Sequence, residues 1–380
     1  IYGSVEVRNS YKSSFLYFTR DTSDSMFMFD CRNCSDCFGC VNLRNKRFCV
    51  WNKQLTKEEY TEFIKNAYPL SHDKLESYKE KFWTLVKSLP LNAPRNTMSV
   101  NCTGTKIDES KNVHDVIESY KSENLRHVTG ALNMNDSMDV LYSGGHSERL
   151  YQTCNVGSQS RDTKYSISTK TAIECEFVLN CRHVTNCFMC VGIEDKKFCI
   201  FNKQYTEEEY WPMVDKIKCA MLARGEYNDS VGFNFSGQAY NLSSANLFFP
   251  LEDEQILNLG GYIAADPVTN VGNMEILSSN DIPQTIDEVS DDILDKAIMC
   301  EVTSRPFRVI EPELNFLRKM KLPLPRIHPV LRLDKMYKFC PIGKNYPAIC
   351  ANCQKEILSA FDPAENYTLC CEDCYNKEVI

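Results

Sequence analysis

Thirty residues occur twice in this chain, 150 positions apart, and nothing else in the sequence limits the fold as strongly. Cys31-Arg-Asn-Cys-Ser-Asp-Cys-Phe-Gly-Cys40 continues through Lys46, Phe48, Cys49 and Asn52-Lys53-Gln54 to Glu58-Glu59-Tyr60. It returns as Cys181 through Cys187-Phe188-Met189-Cys190, then Lys196, Phe198, Cys199, Asn202-Lys203-Gln204 and Glu208-Glu209-Tyr210. About half of the aligned positions are identical, a density read as a repeated structural unit. Each copy ends in a capping box, Thr56-x-x-Glu59 and Thr206-x-x-Glu209, where hydroxyl and carboxylate satisfy backbone donors at a helix start. The spacing predicts helices from Glu58 to about Ala67, from Lys74 to Ser88 beyond the break at Pro69, and from about Glu207 to Arg224.

Ahead of the second copy, short apolar or Thr/Tyr pieces alternate with Ser, Asn and Asp, as at Ser110, Ser122, Asp136 and Ser147. A return about every 12 residues is strand plus turn. The expected fold is mainly β with inserted helices: short-rung β-solenoid-like repeats capped by helices, plus a carboxy-terminal zinc ribbon. An antiparallel β-sandwich is the alternative. Seven segments are expected: Cys-rich β-repeats at 1–55, capping helices at 56–100, a second β-repeat region at 101–205, a capping helix at 206–227, and a linker with an acidic helix (about Ile286 to Met299) at 228–299. A degenerate ribbon-like segment at 300–340 and the ribbon at 341–380 complete the set.

The ribbon rests on Cys350-x2-Cys353-x17-Cys371-x2-Cys374. Two Cys-x2-Cys turns at that separation each aim two sulfurs at one point, and four thiolates make a closed tetrahedral zinc site, structural rather than catalytic. Twenty cysteines in 380 residues exceed what the ribbon needs. Small secreted disulfide scaffolds are far shorter, so the remainder read as thiols or metal ligands. The run Cys31, Cys34, Cys37, Cys40 invites an iron-sulfur reading, but Val184 replaces the second cysteine in the other copy. The matched sets Cys31, Cys37, Cys40, Cys49 and Cys181, Cys187, Cys190, Cys199 are therefore either buried small hydrophobes, the favoured reading, or a second metal class.

The six histidines show no ligand spacing, and no nucleophile-base set stands out, so the expectation is a non-enzymatic protein. The formal charge of -8 argues against a surface that tracks nucleic acid throughout. Against it stands one basic stretch, in which Arg318, Lys319, Lys321, Arg326, Arg332, Lys335, Lys338 and Lys344 face a single acid, Asp334. The first seven are candidate phosphate contacts; the competing reading is a solvated linker that pairs with the acidic residues between Glu252 and Glu301. No apolar run approaches the roughly 18 to 20 residues that cross a bilayer, and a soluble, cytoplasmic protein with no membrane partner is expected.

With these residues in view, the chain resembles a group of Cys-rich, zinc-ribbon-bearing hypothetical proteins of candidate-phyla, Patescibacteria-like bacteria. The matching motifs are Cys37-Phe-Gly-Cys40, Asn52-Lys53-Gln54 and its second copy, Cys300-Glu-Val-Thr-Ser-Arg-Pro-Phe-Arg308, Leu322-Pro-Leu-Pro-Arg326 and Cys371-Glu-Asp-Cys-Tyr375. The resemblance spans nearly the whole chain, implies zinc, and implies no activity. Cys300 to Arg332 also looks like a degenerate zinc ribbon with Cys300 kept, Thr303 in place of a second cysteine and His328-Pro329 in place of the third ligand. The expected function is a zinc-stabilised scaffold or adaptor for an unknown macromolecule, protein or RNA. Nucleic-acid or ribosome binding through the ribbon and the 318–344 stretch comes second, and an enzyme with a site in the solenoid groove third.

Overall fold

The computed structural model describes residues 1–228, 232–265, 270–339 and 344–379; Cys340 and the expected segment boundary at 340–341 lie outside them. The fold is mixed α/β and rich in strands, with eight α-helices among the described residues. The chain divides into two compact units, one of Ile1–Leu91, Ala265–Cys340 and Ala364–Ile380, the other of Asn92–Ala264 and Pro341–Pro363.

The first unit begins with a parallel ladder of constant offset: Tyr2 pairs Ser14, Ser14 pairs Met26, Met26 pairs Phe38, and Phe38 pairs Val50, each 12 residues on. Inside each 12-residue turn a shorter period operates. Every third residue is buried, as at Leu16, Thr19, Thr22, Ser25, Met28, Cys31, Cys34, Cys37 and Cys40. The residue before each is left-handed, as at Phe18, Asp21, Asp24, Phe27, Asp30, Asn33 and Asp36. Three divides 12, so inward side chains stack in columns from turn to turn. Left-handed φ is tolerated best by Gly, Asn and Asp, which is why acids and amides punctuate the sequence. Their side chains form outer ladders, Asn33 donating to Asn45 at 2.7 Å and Asn9 to Asp21 at 3.1 Å.

Inward hydroxyls and thiols do the same work. In the column Ser13, Ser25, Cys37, Cys49, the Ser25 hydroxyl donates to the Ser23 carbonyl (2.7 Å) and accepts from the Cys37 N–H (3.1 Å). The Cys37 thiol in turn donates to the Ser35 carbonyl (3.2 Å). Backbone groups that would be costly to bury alone are thereby satisfied.

The ladder ends by a side chain imitating a strand. Asn52 Oδ1 accepts from Val41 N–H at 2.8 Å and its Nδ2 donates to Val41 O at 3.0 Å; Lys53–Gln54 then turns back antiparallel to Arg47–Val50. The helix Lys57–Ala67 starts at Thr56 with both halves of the capping box formed, and His72–Ser88 starts at Ser71. These helices cover the aromatic columns: Phe82 lies 5.6 Å from Phe27, and Phe63 and Tyr78 lie 5.1 and 5.2 Å from Phe38. Rings at left-handed positions carry backbone strain, offset by burial that contributes about 1.5–3 kcal/mol per large side chain. Gly39 is required where it stands, because a Cβ there would meet the Trp51 ring at 2.2 Å.

The second unit repeats the scheme over more turns. Its strands from Val100–Asp108 through Glu194–Ile200 pair parallel, again mostly at an offset of 12, as in Val116 with Val128 and Ala172 with Val184. The core changes along it from Val113, Val116, Leu125, Val128 and Met134 to Cys175, Cys181, Cys187, Cys190 and Cys199. Extra residues at Gly144–Gly145 and Ser158–Gln159 sit on one another, Gln159 N–H donating to Gly145 O at 2.8 Å, so that the offset there is 13 (Gly144 with Gly157) without loss of pairing. Closure matches the first unit: Asn202 exchanges two bonds with Val191 (2.8 and 2.9 Å), and Thr206 opens the helix Glu207–Ala223 with a complete capping box.

Two expectations fail. An antiparallel sandwich is excluded by the parallel pairing of both ladders. The acidic helix from about Ile286 to Met299 is absent: Thr285 and Ser290 open separate 3-10 turns, Ile286–Glu288 and Asp291–Asp295, and Lys296–Met299 pairs as a strand with Glu275–Leu277 and Pro306–Phe307. Two starts five residues apart leave neither turn the length at which a helix propagates. The 228–299 stretch also holds short helices at Ser244–Phe248 and Asp253–Asn258.

Candidate metal centre

The sulfurs of Cys350, Cys353, Cys371 and Cys374 all lie within 4.8 Å of one another, so this cluster could hold a metal ion. The first pair sits on a hairpin, Tyr346–Ile349 against Glu356–Ser359. Its turn is a knuckle in which Cys350 N–H donates to Lys355 O at 2.9 Å and Gln354, at φ 61°, donates to Cys350 O at 3.0 Å. The second pair stands at the start of the helix Glu372–Val379, where Tyr375 N–H donates to Cys371 O at 2.9 Å. Tyr375 is fully buried; its hydroxyl donates to Asp30 (2.7 Å) and accepts from Arg44 (3.0 Å), so that this helix is held by the first ladder. Cys350 and Cys371 are buried, Cys374 is half-buried and Cys353 is exposed. Thiolates this close repel one another strongly unless a cation or protons intervene.

The same knuckle recurs at Cys300 with one thiol, Thr303 standing where the second would be. Cys300 N–H donates to Arg305 O at 3.1 Å, and Ser304, at φ 53°, donates to Cys300 O at 3.0 Å. Its sulfur accepts the His328 N–H at 3.3 Å, while the His328 ring caps the next helix by accepting from Val330 N–H at 3.2 Å. Burial, with Arg305 and Arg332 nearby, lowers the pKa of His328 and keeps it neutral. Hydrogen bonds hold this remnant where the other knuckle has sulfurs.

The remaining candidate sets behave as interior. Cys31, Cys37, Cys40, Cys49, Cys181, Cys187, Cys190 and Cys199 are buried thiols in the ladder columns. They donate to carbonyls, as Cys175 and Thr163 do in the column of Cys187: Cys175 to Ile173 O at 3.2 Å, Thr163 to Arg161 O at 3.0 Å. Burial pushes Cys31, Cys49, Cys181 and Cys199 up, favouring the thiol over the thiolate that a metal requires. His183, Glu194 and Asp195 also lie within 4.8 Å of one another, but all three are exposed, and exposed acids gather without an ion.

Four of the seven basic candidates have acidic partners. Arg318 pairs with Asp291 at 2.6 Å, Lys321 with Asp287 at 2.7 Å, Arg332 with Glu313 at 2.7 Å and Tyr2 Oη at 2.9 Å, and Lys338 with Glu365 at 3.9 Å. Arg326 is buried, and Lys319 and Lys335 are exposed. The partners at 287 and 291 fall in the acidic region that the linker reading invoked. Among the described residues no helix is long and apolar enough to cross a membrane. No protein-family model matches the chain, and no curated protein matches it.

Proposed function

We propose that this chain is a non-enzymatic, zinc-stabilised scaffold: two β-solenoid stretches that present outer faces to a macromolecular partner, with a carboxy-terminal zinc ribbon as a further contact module. The observation that carries the reading is the cluster of four sulfurs within 4.8 Å. Tetrahedral zinc with Zn–S bonds of about 2.3 Å puts its sulfurs about 3.8 Å apart, within reach of small side-chain adjustments. Four thiolates leave the ion no open position, so its contribution is folding rather than reaction. The parallel ladders of offset 12, with side-chain closures at Asn52 and Asn202, support the solenoid reading. Interior free thiols in both ladders suit a reducing compartment such as the cytoplasm. The resemblance to Cys-rich bacterial proteins agrees with zinc and adds no activity.

A nucleic-acid contact through Arg318, Lys319, Lys321, Arg326, Arg332, Lys335 and Lys338 is the second reading, favoured by the exposed Lys319, Lys335 and Lys338. It is weakened because four of the seven already have acidic partners. Binding of single-stranded RNA and duplex DNA by the full chain across a salt series separates the two. The scaffold reading expects weak binding, unchanged when Lys319, Lys335 and Lys338 are replaced by Glu. A steep salt slope that falls by about one unit per removed contact would replace it with the nucleic-acid reading.

A further inference from the structure

The two Cys-rich copies share a register but not a cover. Tyr17, Phe29 and Val41 are stacked neighbours in the first ladder, and Ile167, Leu179 and Val191, each 150 residues on, are stacked neighbours in the second. Beside them the closing turns, Trp51-Asn52 and Phe201-Asn202, hold Val41 and Val191 through the same pair of bonds. In the first unit the helix His72–Ser88 lies on this face. Trp83 is 4.9 Å from Tyr17 and 6.2 Å from Phe29, Tyr78 is 5.9 Å from Trp51, and the Lys81 ammonium stands 4.3 Å over the Trp51 ring. Phe29 and Val41 are closed to solvent.

The second unit has the first helix of this pair and lacks the second. Tyr210 packs on Phe198 (5.6 Å) as Tyr60 does on Phe48 (5.7 Å), so Glu207–Ala223 takes the place of Lys57–Ala67. Beyond it Tyr227 packs against Tyr165 and Phe177, and among the described residues the next helix, Ser244–Phe248, has only five residues. The face stays open: Val191 is 54% and Phe201 63% exposed, and Met213, at the position of the half-buried Phe63, is 40% exposed. Apolar side chains left bare where the sister copy covers them mark an interaction site, and the sister copy shows the occupant, an amphipathic helix seated on the same register. Charge agrees. The exposed Phe201 ring can take a cation as Trp51 takes Lys81, and exposed Glu207 and Glu208 follow it in the chain against Lys203.

We propose that this face docks an amphipathic helix of a partner protein, aromatic and apolar along one stripe and basic beside it, in the lane that His72–Ser88 fills on the first unit. This narrows the scaffold reading, on which it rests, to one surface and one kind of partner. The probe is the fluorescein-labelled peptide Ser71–Leu89, which keeps the Ser71 cap, titrated into full-length metal-loaded protein and followed by anisotropy. Its control has Tyr78, Phe82 and Trp83 replaced by Ala, which preserves the helix and removes the rings.

One peptide per chain is expected, with a Kd of about 0.1 mM or tighter after the cost of ordering so short a helix. Val191→Glu combined with Phe201→Glu should weaken binding about tenfold or more and shift the melting temperature by no more than about 3 °C, because both side chains are exposed. The control peptide should bind about tenfold more weakly than the probe. No binding at about 1 mM, equal binding by wild type and variant, or equal binding of probe and control would overturn the proposal. So would a variant that melts markedly lower, since the face would then be covered within the chain. A wild type that sediments as a dimer which the variant dissociates would overturn it too, since the occupant would be a second copy. None of these outcomes bears on zinc content or on the salt series, which test the scaffold reading separately.

Discussion

Cys-x2-Cys occurs in two settings in this molecule, and the same spacing means opposite things in them. At 350–353 and 371–374 the pairs sit on separate turns and converge, bringing four sulfurs within 4.8 Å. At Cys31, Cys34, Cys37 and Cys40 successive cysteines enter the interior on successive sides of one 12-residue turn, each in its own column. The difference lies in what separates the pairs: a hairpin that returns to the same point, or a continuous three-residue period that never does. The Cys300 knuckle is intermediate, with the turn kept and the convergence lost, its sulfur occupied by the His328 N–H.

The largest expected effect tests the converging set. Cys371→Ser should release the single zinc, and because binding energy in such modules, about 10–16 kcal/mol in zinc-finger peptides, is folding energy, the hairpin Tyr346–Ile349/Glu356–Ser359 and the helix Glu372–Val379 should unfold together. Elemental analysis and hydrogen exchange would show it. Zinc is expected at one per chain, and Thr303→Cys should add none, since Cys300 and a new neighbour supply only two ligands. A content of two or more would show that ladder or remnant thiols bind metal, and a content of none in protein purified without chelator would remove the zinc reading.

A smaller effect is expected within the ladder. Cys37→Ala loses the bond to Ser35 O and leaves a small void, costing about 1–2 kcal/mol. Cys37→Ser should cost less than half as much, because Ser25 and Ser13 in the same column bond in the same way. Zinc content should not change in either. Denaturant midpoints decide this; a serine variant as damaged as the alanine one would mean that the thiol is present for something other than its bonds.

The sequence disclosed the ends of this fold better than its middle. Thr56 and Glu59 spell their capping box locally, and so do Thr206 and Glu209, so helix starts could be read from four consecutive residues. The 12-residue offset was legible from recurring Ser, Asn and Asp. The three-residue period inside it was not, because inward positions mix Ser and Thr with Leu, Met and Cys and thus give no hydropathy wave. Its signal was the cysteine run itself, read together with Asn and Asp one position ahead of inward residues, at Asp21, Asp24, Asp30, Asn33 and Asp36. The fate of the basic stretch depended on distant partners such as Asp287, Asp291 and Tyr2. Arg326, counted there with surface cations, is interior without an acidic partner among the described residues.

The smallest effect asks whether the two Cys-rich copies are one device used twice. Each closes with an Asn that pairs with a strand backbone and a Thr that accepts from the third helical N–H, at 3.2 Å for Thr56 and 3.3 Å for Thr206, while Glu59 and Glu209 return the bond at 2.8 and 3.0 Å. The helices beyond these caps differ in length, with 11 residues in the first unit and 17 in the second. If closure is local, Thr56→Ala and Thr206→Ala should each cost about 1 kcal/mol, agreeing within about 0.5 kcal/mol. Each should couple to its own Glu→Ala partner, since either change breaks the same reciprocal pair. Chemical denaturation of the four single and two double variants measures this. Costs that differ by more than about 1 kcal/mol would mean that the longer packed face, rather than the cap, holds the second helix in place, and the duplicated sequence would then encode matching shapes without matching energetics.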